Sequence, residues 1–239
     1  NVGLVLGVTL LLSNITLERY TTWIDLPLLM VVVLVTWFLL YDLELSRSNS
    51  LVLLGMLALF FFRVAQHAKQ SDDDIEAREI PTLTLPLAWL SFLGGLALLI
   101  ASSRILVWAA SHIAAELGVS ELVIGLTIVA VGTSLPELAA SVMSALKGHA
   151  DMAVGAIVGS NMFNILLVLA IPGLWGSLSL QAAVVSRDMV AVFLTTLVLA
   201  LTALWRWNGA SGSSTLGRGT GLLLLSLYIA YCGWLFLVP

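Results

Sequence analysis

Charged residues are scarce in this chain. Only 10% of its 239 residues are Asp, Glu, Lys or Arg, against roughly 25% in an ordinary soluble domain. Cysteine is scarcer still, because Cys232 is the only one. A single cysteine excludes a disulfide framework and a cysteine-ligated metal cluster. The few basic residues form no stripe of the kind that binds nucleic acid, so we expect no nucleic-acid partner.

Apolar residues are abundant instead and make up 60% of the chain. They fall into stretches of about 20 residues, which is the length that crosses a bilayer as a helix. The sequence therefore predicts an all-α membrane protein with about eight spans, the first of them partial. The expected spans are 1–14, 25–41, 49–68, 86–117, 121–147, 150–174, 188–206 and 216–237.

The polar segments predict how the chain begins and how it is oriented. Asn1 opens an apolar run without the basic leader of a signal peptide, so we expect a fragment of a longer protein. If the linker at 69–85 is cytoplasmic, seven of the ten Lys and Arg residues fall on the cytoplasmic side, as the positive-inside rule requires. The C-terminus is then extracytoplasmic.

The chain also repeats itself. Residues 1–68 resemble residues 164–237, with an offset that grows along the chain from 163 to about 171. Each copy holds three spans, and the predicted sidedness runs the two copies in opposite directions, as in an inverted-repeat transporter. We therefore expect 1–68 to end a first repeat and 86–239 to form a second repeat of five spans. Residues 86–163 then lack a counterpart of similar length, which we expect before Asn1.

The sequence Gly132-Thr-Ser-Leu-Pro-Glu137 interrupts the fifth predicted span. Pro136 lacks an N–H donor and breaks the helix, and the carboxylate of Glu137 follows at once. An ionisable residue at this depth is costly and indicates a functional site. Thr133 and Ser134 add two hydroxyl oxygens one turn earlier. Hard oxygen ligands around an unwound helix predict a site for Na⁺ or Ca²⁺.

A second polar cluster lies in the next span. Gly155 and Gly159 are four residues apart, a spacing that permits close approach of a neighbouring helix. Ser160 and Asn164 are also four apart and share one helix face, so both could offer oxygen to the same ion or could simply bridge helices. Asn161 lies about 100° away, where we expect it to cap or pack.

Residues 125–169, which contain both clusters, resemble the second α-repeat of the calcium/cation antiporter superfamily, and most of all the bacterial sodium/calcium exchangers of the inner-membrane YrbG type. The resemblance implies a fold of about ten transmembrane helices in two inverted repeats, with ion sites at the centre and the ion-binding α-repeat at 121–174. It assigns the Ca²⁺-binding acid to Glu137 and hydroxyl ligands to Thr133, Ser134 and Ser160. It also matches Asn164 to a position that is Asp in some exchangers, and Asn1 to an asparagine of the first repeat.

The resemblance predicts a sodium/calcium antiporter of the bacterial inner membrane that works by alternating access. Its expected partners are Ca²⁺, Na⁺, the lipid bilayer and a preceding N-terminal α-repeat, and no cofactor is expected beyond the transported ions. A Ca²⁺/H⁺ or other cation/H⁺ antiporter is the near alternative. An intramembrane hydrolase with Ser134 as nucleophile lacks a well-placed base, and a helix-packing subunit without an ion site is a further reading.

Overall fold

The computed structural model describes residues 1–71, 84–119 and 124–237, and most of the predicted 69–85 linker lies outside these ranges. Its α-helices are, in chain order, Gly7–Leu12 (α1), Leu26–Leu39 (α2), Arg47–Ser71 (α3), Leu85–Glu116 (α4), Ala130–Thr133 (α5), Leu135–Leu146 (α6), Ala150–Phe163 (α7), Ala170–Trp175 (α8), Met189–Trp205 (α9) and Arg218–Leu237 (α10). Wider π-helical turns are Val2–Leu6 (π1), Thr21–Asp25 (π2), Gly125–Val129 (π3), Asn164–Val168 (π4) and Val184–Asp188 (π5).

These helices confirm the predicted all-α membrane fold. Among the described residues, five helices are long and apolar enough to cross a membrane, or six if one bent pair counts as a single span. The bent pair is Thr127–Thr133 followed by Leu135–Leu146, so the break predicted at the Gly132–Glu137 motif is present. The π-helical turns were not predicted, and π2 and π5 extend two of the expected spans toward their N-terminal ends.

The elements recur at the spacing of the sequence repeat. Helices α1 and α8 begin at Gly7 and Ala170, and the turns π2 and π5 begin at Thr21 and Val184, both pairs at the smaller offset of the repeat. Helices α3 and α10 begin at Arg47 and Arg218, at the larger offset. The two copies therefore match in structure as well as in sequence. The predicted repeat boundaries at 68 and 86 stay a prediction.

Short strands join the two copies crosswise. They are Ile15–Glu18 (β1), Glu44–Leu45 (β2), Leu178–Ser179 (β3), Trp207–Asn208 (β4) and Ser213–Leu216 (β5). Strand β1 pairs with β5, placing Ile15 opposite Leu216, and β2 pairs with β3, placing Leu45 opposite Leu178. The smaller offset of the repeat carries Ile15 onto Leu178, and the larger offset carries Leu45 onto Leu216, so the two pairings are equivalent. The equivalence of the two pairings indicates a pseudo-twofold relation between the copies.

The contacts divide the described chain into two compact units, one of residues 1–59 with 137–239 and the other of residues 60–136. The first unit contains the crossed strands. In the second unit, only 6% of the most apolar stretch of α4 is buried. This helix exposes large apolar side chains such as Leu90, Leu98 and Trp108. Exposed apolar side chains along a spanning helix are typical of a surface that faces lipid.

Helices α1 and α10 approach closely within the first unit. A Cβ added to Gly221 would lie 2.8 Å from the carbonyl oxygen of Gly7 and 2.9 Å from Cβ of Leu10. A Cβ on Gly7 would lie 3.3 Å from the carbonyl oxygen of Gly221. Small residues permit this contact, which is the usual way that helices gain van der Waals contact in a membrane.

Candidate ion-binding site

The interrupted helix presents hydroxyl oxygens just before the carboxylate. The hydroxyl of Thr133 donates to the carbonyl oxygen of Ala130 at 3.0 Å, and that of Ser134 donates to the same carbonyl at 3.3 Å. Each hydroxyl uses its proton in this bond, so its lone pairs remain available to accept a cation. Pro136 cannot continue the backbone ladder, and the hydroxyls therefore lie at a helix end.

Helix α5 packs tightly against α4 within the unit of residues 60–136. Gly132 is buried, and a Cβ added there would collide with the side chain of Val107. The glycine of the motif is therefore needed for packing, whereas Thr133 is exposed and Ser134 is half-buried. The motif combines a packing residue with side chains that are open to a ligand.

Glu137 carries an oxygen atom without a partner. The residue lies in the first turn of α6 and is half-buried. Its Oε2 atom is buried and has no hydrogen-bond partner among the described residues. A buried carboxylate oxygen is costly unless a positive charge or donors compensate. The position therefore suits a bound cation.

Asn1 and Ser160 are joined directly although they are far apart in the sequence. The side-chain amide of Asn1 donates to Oγ of Ser160 at 2.8 Å, and Ser160 donates to the carbonyl of Ile157 at 3.2 Å. Glu137 lies near Asn1 in the same unit. The structure thus gathers Asn1, Ser160 and Glu137 in the first unit.

The remaining predicted ligands are Thr133, Ser134 and Asn164. Thr133 and Ser134 belong to the second unit, which ends at Pro136. Asn164 begins π4 and is exposed, with no side-chain hydrogen bond in the described part of the chain. Asn161, expected to cap or pack, donates to the carbonyl of Ile157 at 2.8 Å.

No neighbouring helix approaches Gly155 or Gly159 closely among the described residues. A Cβ added to either glycine would meet nothing within 4 Å. Close glycine contacts occur instead between α1 and α10, where the spacing of Gly3 and Gly7 carries the same small-residue signal. A glycine spacing of four residues therefore does accompany a close helix contact in this fold, but the contact is between α1 and α10.

The donor set is hard and carries little charge. It consists of one carboxylate, hydroxyl oxygens and amide oxygens, and the described residues contain no group of three or more His, Cys, Asp or Glu side chains placed to hold a metal ion. Oxygen ligands of this kind suit Na⁺ and Ca²⁺ and disfavour soft transition metals.

Sequence reasoning missed a hydrogen-bonded carboxylate at the start of α9. The predicted span 188–206 placed Asp188 at its very first residue, but the span is Val184–Trp205 and Asp188 lies within it. Its Oδ1 atom accepts from Nε of Arg187 at 2.8 Å and from the hydroxyl of Tyr231 at 3.0 Å. A cavity of about 210 Å³ is lined by Asp188, Tyr231 and also by Asn1. The only signal in the sequence was the presence of an acid near an apolar run.

The family model described as sodium/calcium exchanger protein matches residues 87–237. The chain belongs to the sodium/calcium exchanger family. Its relatives include the putative antiporter CaxA of Alkalimonas amylolytica, 39% identical over 99% of this chain and 75% of the relative. The inner membrane protein YrbG of Escherichia coli is 35% identical over 99% of this chain and 73% of its own length.

Solved exchanger structures share the fold. The sodium-calcium exchanger NCX_Mj, soaked with Na⁺ and Sr²⁺, superposes with a TM-score of 0.76 at 28% identity, covering 96% of this chain and 70% of that one. Membership of the exchanger family identifies this chain as a multi-pass membrane transporter for cation/Ca²⁺ antiport. It belongs to a transporter family and not to a class of enzymes.

Proposed function

We propose that this exchanger moves Na⁺ against Ca²⁺ across a bacterial inner membrane by alternating access. The observation that carries the proposal is the buried, unpartnered Oε2 of Glu137, near the hydrogen-bonded pair of Asn1 and Ser160. The proposed ligands are Glu137, Ser160 and Asn1, with Thr133, Ser134 and Asn164 completing the set. The family model and the fold of the sodium-calcium exchanger NCX_Mj support cation exchange in general, and the name of one relative supports inner-membrane placement.

Charge balance explains how such a site could exchange the two ions. Glu137 and an equivalent carboxylate of a first repeat would together balance one Ca²⁺ or two Na⁺. Both ions prefer the same hard oxygens, so they would compete for one set of ligands. Competition at a shared site couples the two fluxes, because the site changes from one side of the membrane to the other only when an ion occupies it.

Uptake of ⁴⁵Ca²⁺ into sealed vesicles tests the proposal. We expect an outward Na⁺ gradient to drive uptake at equal pH on the two sides, and collapse of that gradient to stop it. Uptake that ignores Na⁺ and follows an imposed pH gradient would instead identify a cation/H⁺ antiporter.

The repeat predicts a second ion-binding motif. Residues 86–163 have no earlier counterpart, although 1–68 and 164–237 match each other. We expect the reading frame before the codon of Asn1 to encode a Gly-Thr-Ser-x-Pro-Glu-like motif, roughly 80 residues or fewer upstream, by the inverted-repeat logic. Sequencing that region decides the question, and unrelated sequence there would remove the two-carboxylate scheme.

Asn164→Asp should shift the ion preference. It adds a negative charge one helical turn after Ser160, and each added charge favours a state that holds more cationic charge. We expect the Na⁺ concentration that half-inhibits ⁴⁵Ca²⁺ uptake to change about threefold or more, since that shift needs less than about 1 kcal/mol. Asn14→Asp, at an exposed position, is the matched control. If Na⁺ inhibits ⁴⁵Ca²⁺ uptake by Asn164→Asp with the same concentration dependence as in the unsubstituted protein, Asn164 lies outside the ion site.

A further inference from the structure

Asp188 is an intramembrane carboxylate that the proposed ion site does not use. Its side chain is 31% exposed and lies within the span Val184–Trp205. A carboxylate in a span requires compensation, which Arg187 and Tyr231 supply through hydrogen bonds to one oxygen, Oδ1. The guanidinium already balances the negative charge, so Asp188 is poorly suited to hold a transported cation. Its role is therefore one of contact between helices.

The bond from Tyr231 joins the start of α9 to the last helix, α10. Tyr231 and Tyr228 are three residues apart and so lie on the same side of α10. Tyr228 contacts π1, because a Cβ added to Gly3 would lie only 3.0 Å from Cβ of Tyr228. Helix α10 thus lies against π1 on the side where Asp188 holds it.

The turn π1 in turn fixes Asn1. The carbonyl oxygen of Asn1 accepts from the backbone N–H of Val5 at 2.9 Å and from that of Leu6 at 3.1 Å. The side chain of Asn1 then donates to Ser160 at 2.8 Å. A continuous series of contacts therefore runs from Asp188 through α10 and π1 to the Asn1–Ser160 pair.

We propose that Asp188 is a positioning residue for the ion site: its bond with Tyr231 holds α10 against π1, and π1 holds Asn1 beside Ser160. The inference rests on the proposed Na⁺/Ca²⁺ exchange at that pair. Ligands that are already fixed bind more tightly, because the ion does not have to select a rarely populated arrangement. Loss of the bond frees π1 and weakens ion binding without removing a ligand.

The test compares Tyr231→Phe and Asp188→Ala, each of which removes the bond between the two side chains, with the unsubstituted protein in vesicles. We expect the apparent KM for Ca²⁺ to rise roughly three- to tenfold in each, the size typical of one lost intramolecular hydrogen bond. The maximal rate per folded protein should stay within about twofold, because every ligand is still present. The double variant should show no larger shift than the single ones, since both remove the same bond.

Three further measurements separate positioning from a general loss of structure. Gly3→Ala should reproduce the KM shift, because its Cβ pushes π1 away from α10. Tyr41→Phe, which removes a hydroxyl from a side chain that is 78% exposed, should keep the parental KM. Calorimetric titration of the purified protein with Ca²⁺ should show the same loss of affinity in Tyr231→Phe.

The outcomes distinguish the inference from the function on which it rests. If the variants reduce only the amount of folded protein while the KM and the calorimetric affinity stay parental, Asp188 supports the fold alone and the inference is overturned. If the unsubstituted protein shows no Na⁺-driven uptake, the proposed function fails and the inference fails with it.

Discussion

Replacing Glu137 with Gln should abolish Na⁺-driven Ca²⁺ uptake while leaving membrane insertion intact. The amide keeps the size of the side chain and one oxygen, but it removes the negative charge of a carboxylate whose Oε2 atom is buried and has no partner among the described residues. Loss of one partner from a buried charge pair costs about 3–5 kcal/mol. Since a factor of ten in affinity corresponds to about 1.4 kcal/mol, the affinity for Ca²⁺ should fall by roughly two to three and a half orders of magnitude. Initial rates of ⁴⁵Ca²⁺ uptake measure the effect.

Glu116→Gln provides the matched control for this substitution. Glu116 is the exposed last residue of α4, so the same chemical change there should leave uptake at the parental rate. The amount of each variant in the membrane fraction corrects for expression. Undiminished flux in Glu137→Gln, at equal protein, would remove Glu137 from the ion site.

The second large effect is expected at the contact between α1 and α10. Gly221→Ala places a Cβ 2.8 Å from the carbonyl oxygen of Gly7 and 2.9 Å from Cβ of Leu10, and neither can move without shifting a helix. Overpacking of this kind costs about 1–3 kcal/mol. The midpoint of thermal unfolding of the purified protein should fall by about 2–4 °C for each kcal/mol.

Gly219→Ala tests whether the contact is the cause. Gly219 lies on the same helix, and a Cβ added there meets nothing within 4 Å. Both substitutions gain the same helix propensity over glycine, so their difference isolates the close approach. Equal thermal midpoints for the two variants would contradict the predicted contact.

Much of the fold could be predicted because it depends on local sequence. Hydropathy located the spans to within a few residues, since each needs a run of about 20 apolar residues. The break before Glu137 followed from the missing N–H of Pro136. The positions of Thr133 and Ser134 at a helix end followed from the same proline.

The remaining features depend on contacts between distant residues. The Asn1–Ser160 bond and the Tyr231–Asp188 bond each join residues far apart in the sequence, so no local pattern indicates either. The π-helical turns leave the hydrophobic content of a span unchanged and are invisible to hydropathy. Gly155 and Gly159 illustrate a related point, because their spacing identifies a helix face that could make a close contact but does not identify the helix that packs against it.

The crossed strands have a consequence for the order of biosynthesis. Strand β1 ends at Glu18, and its partner β5 begins at Ser213, so most of the chain separates the two halves of the pairing. At roughly 5–20 residues per second, the ribosome needs about 10–40 s to deliver the partner. Until then β1 is an unpaired edge, and pairing it is a slow, non-local step. The frame that joins the two copies therefore closes only after both copies have been translated.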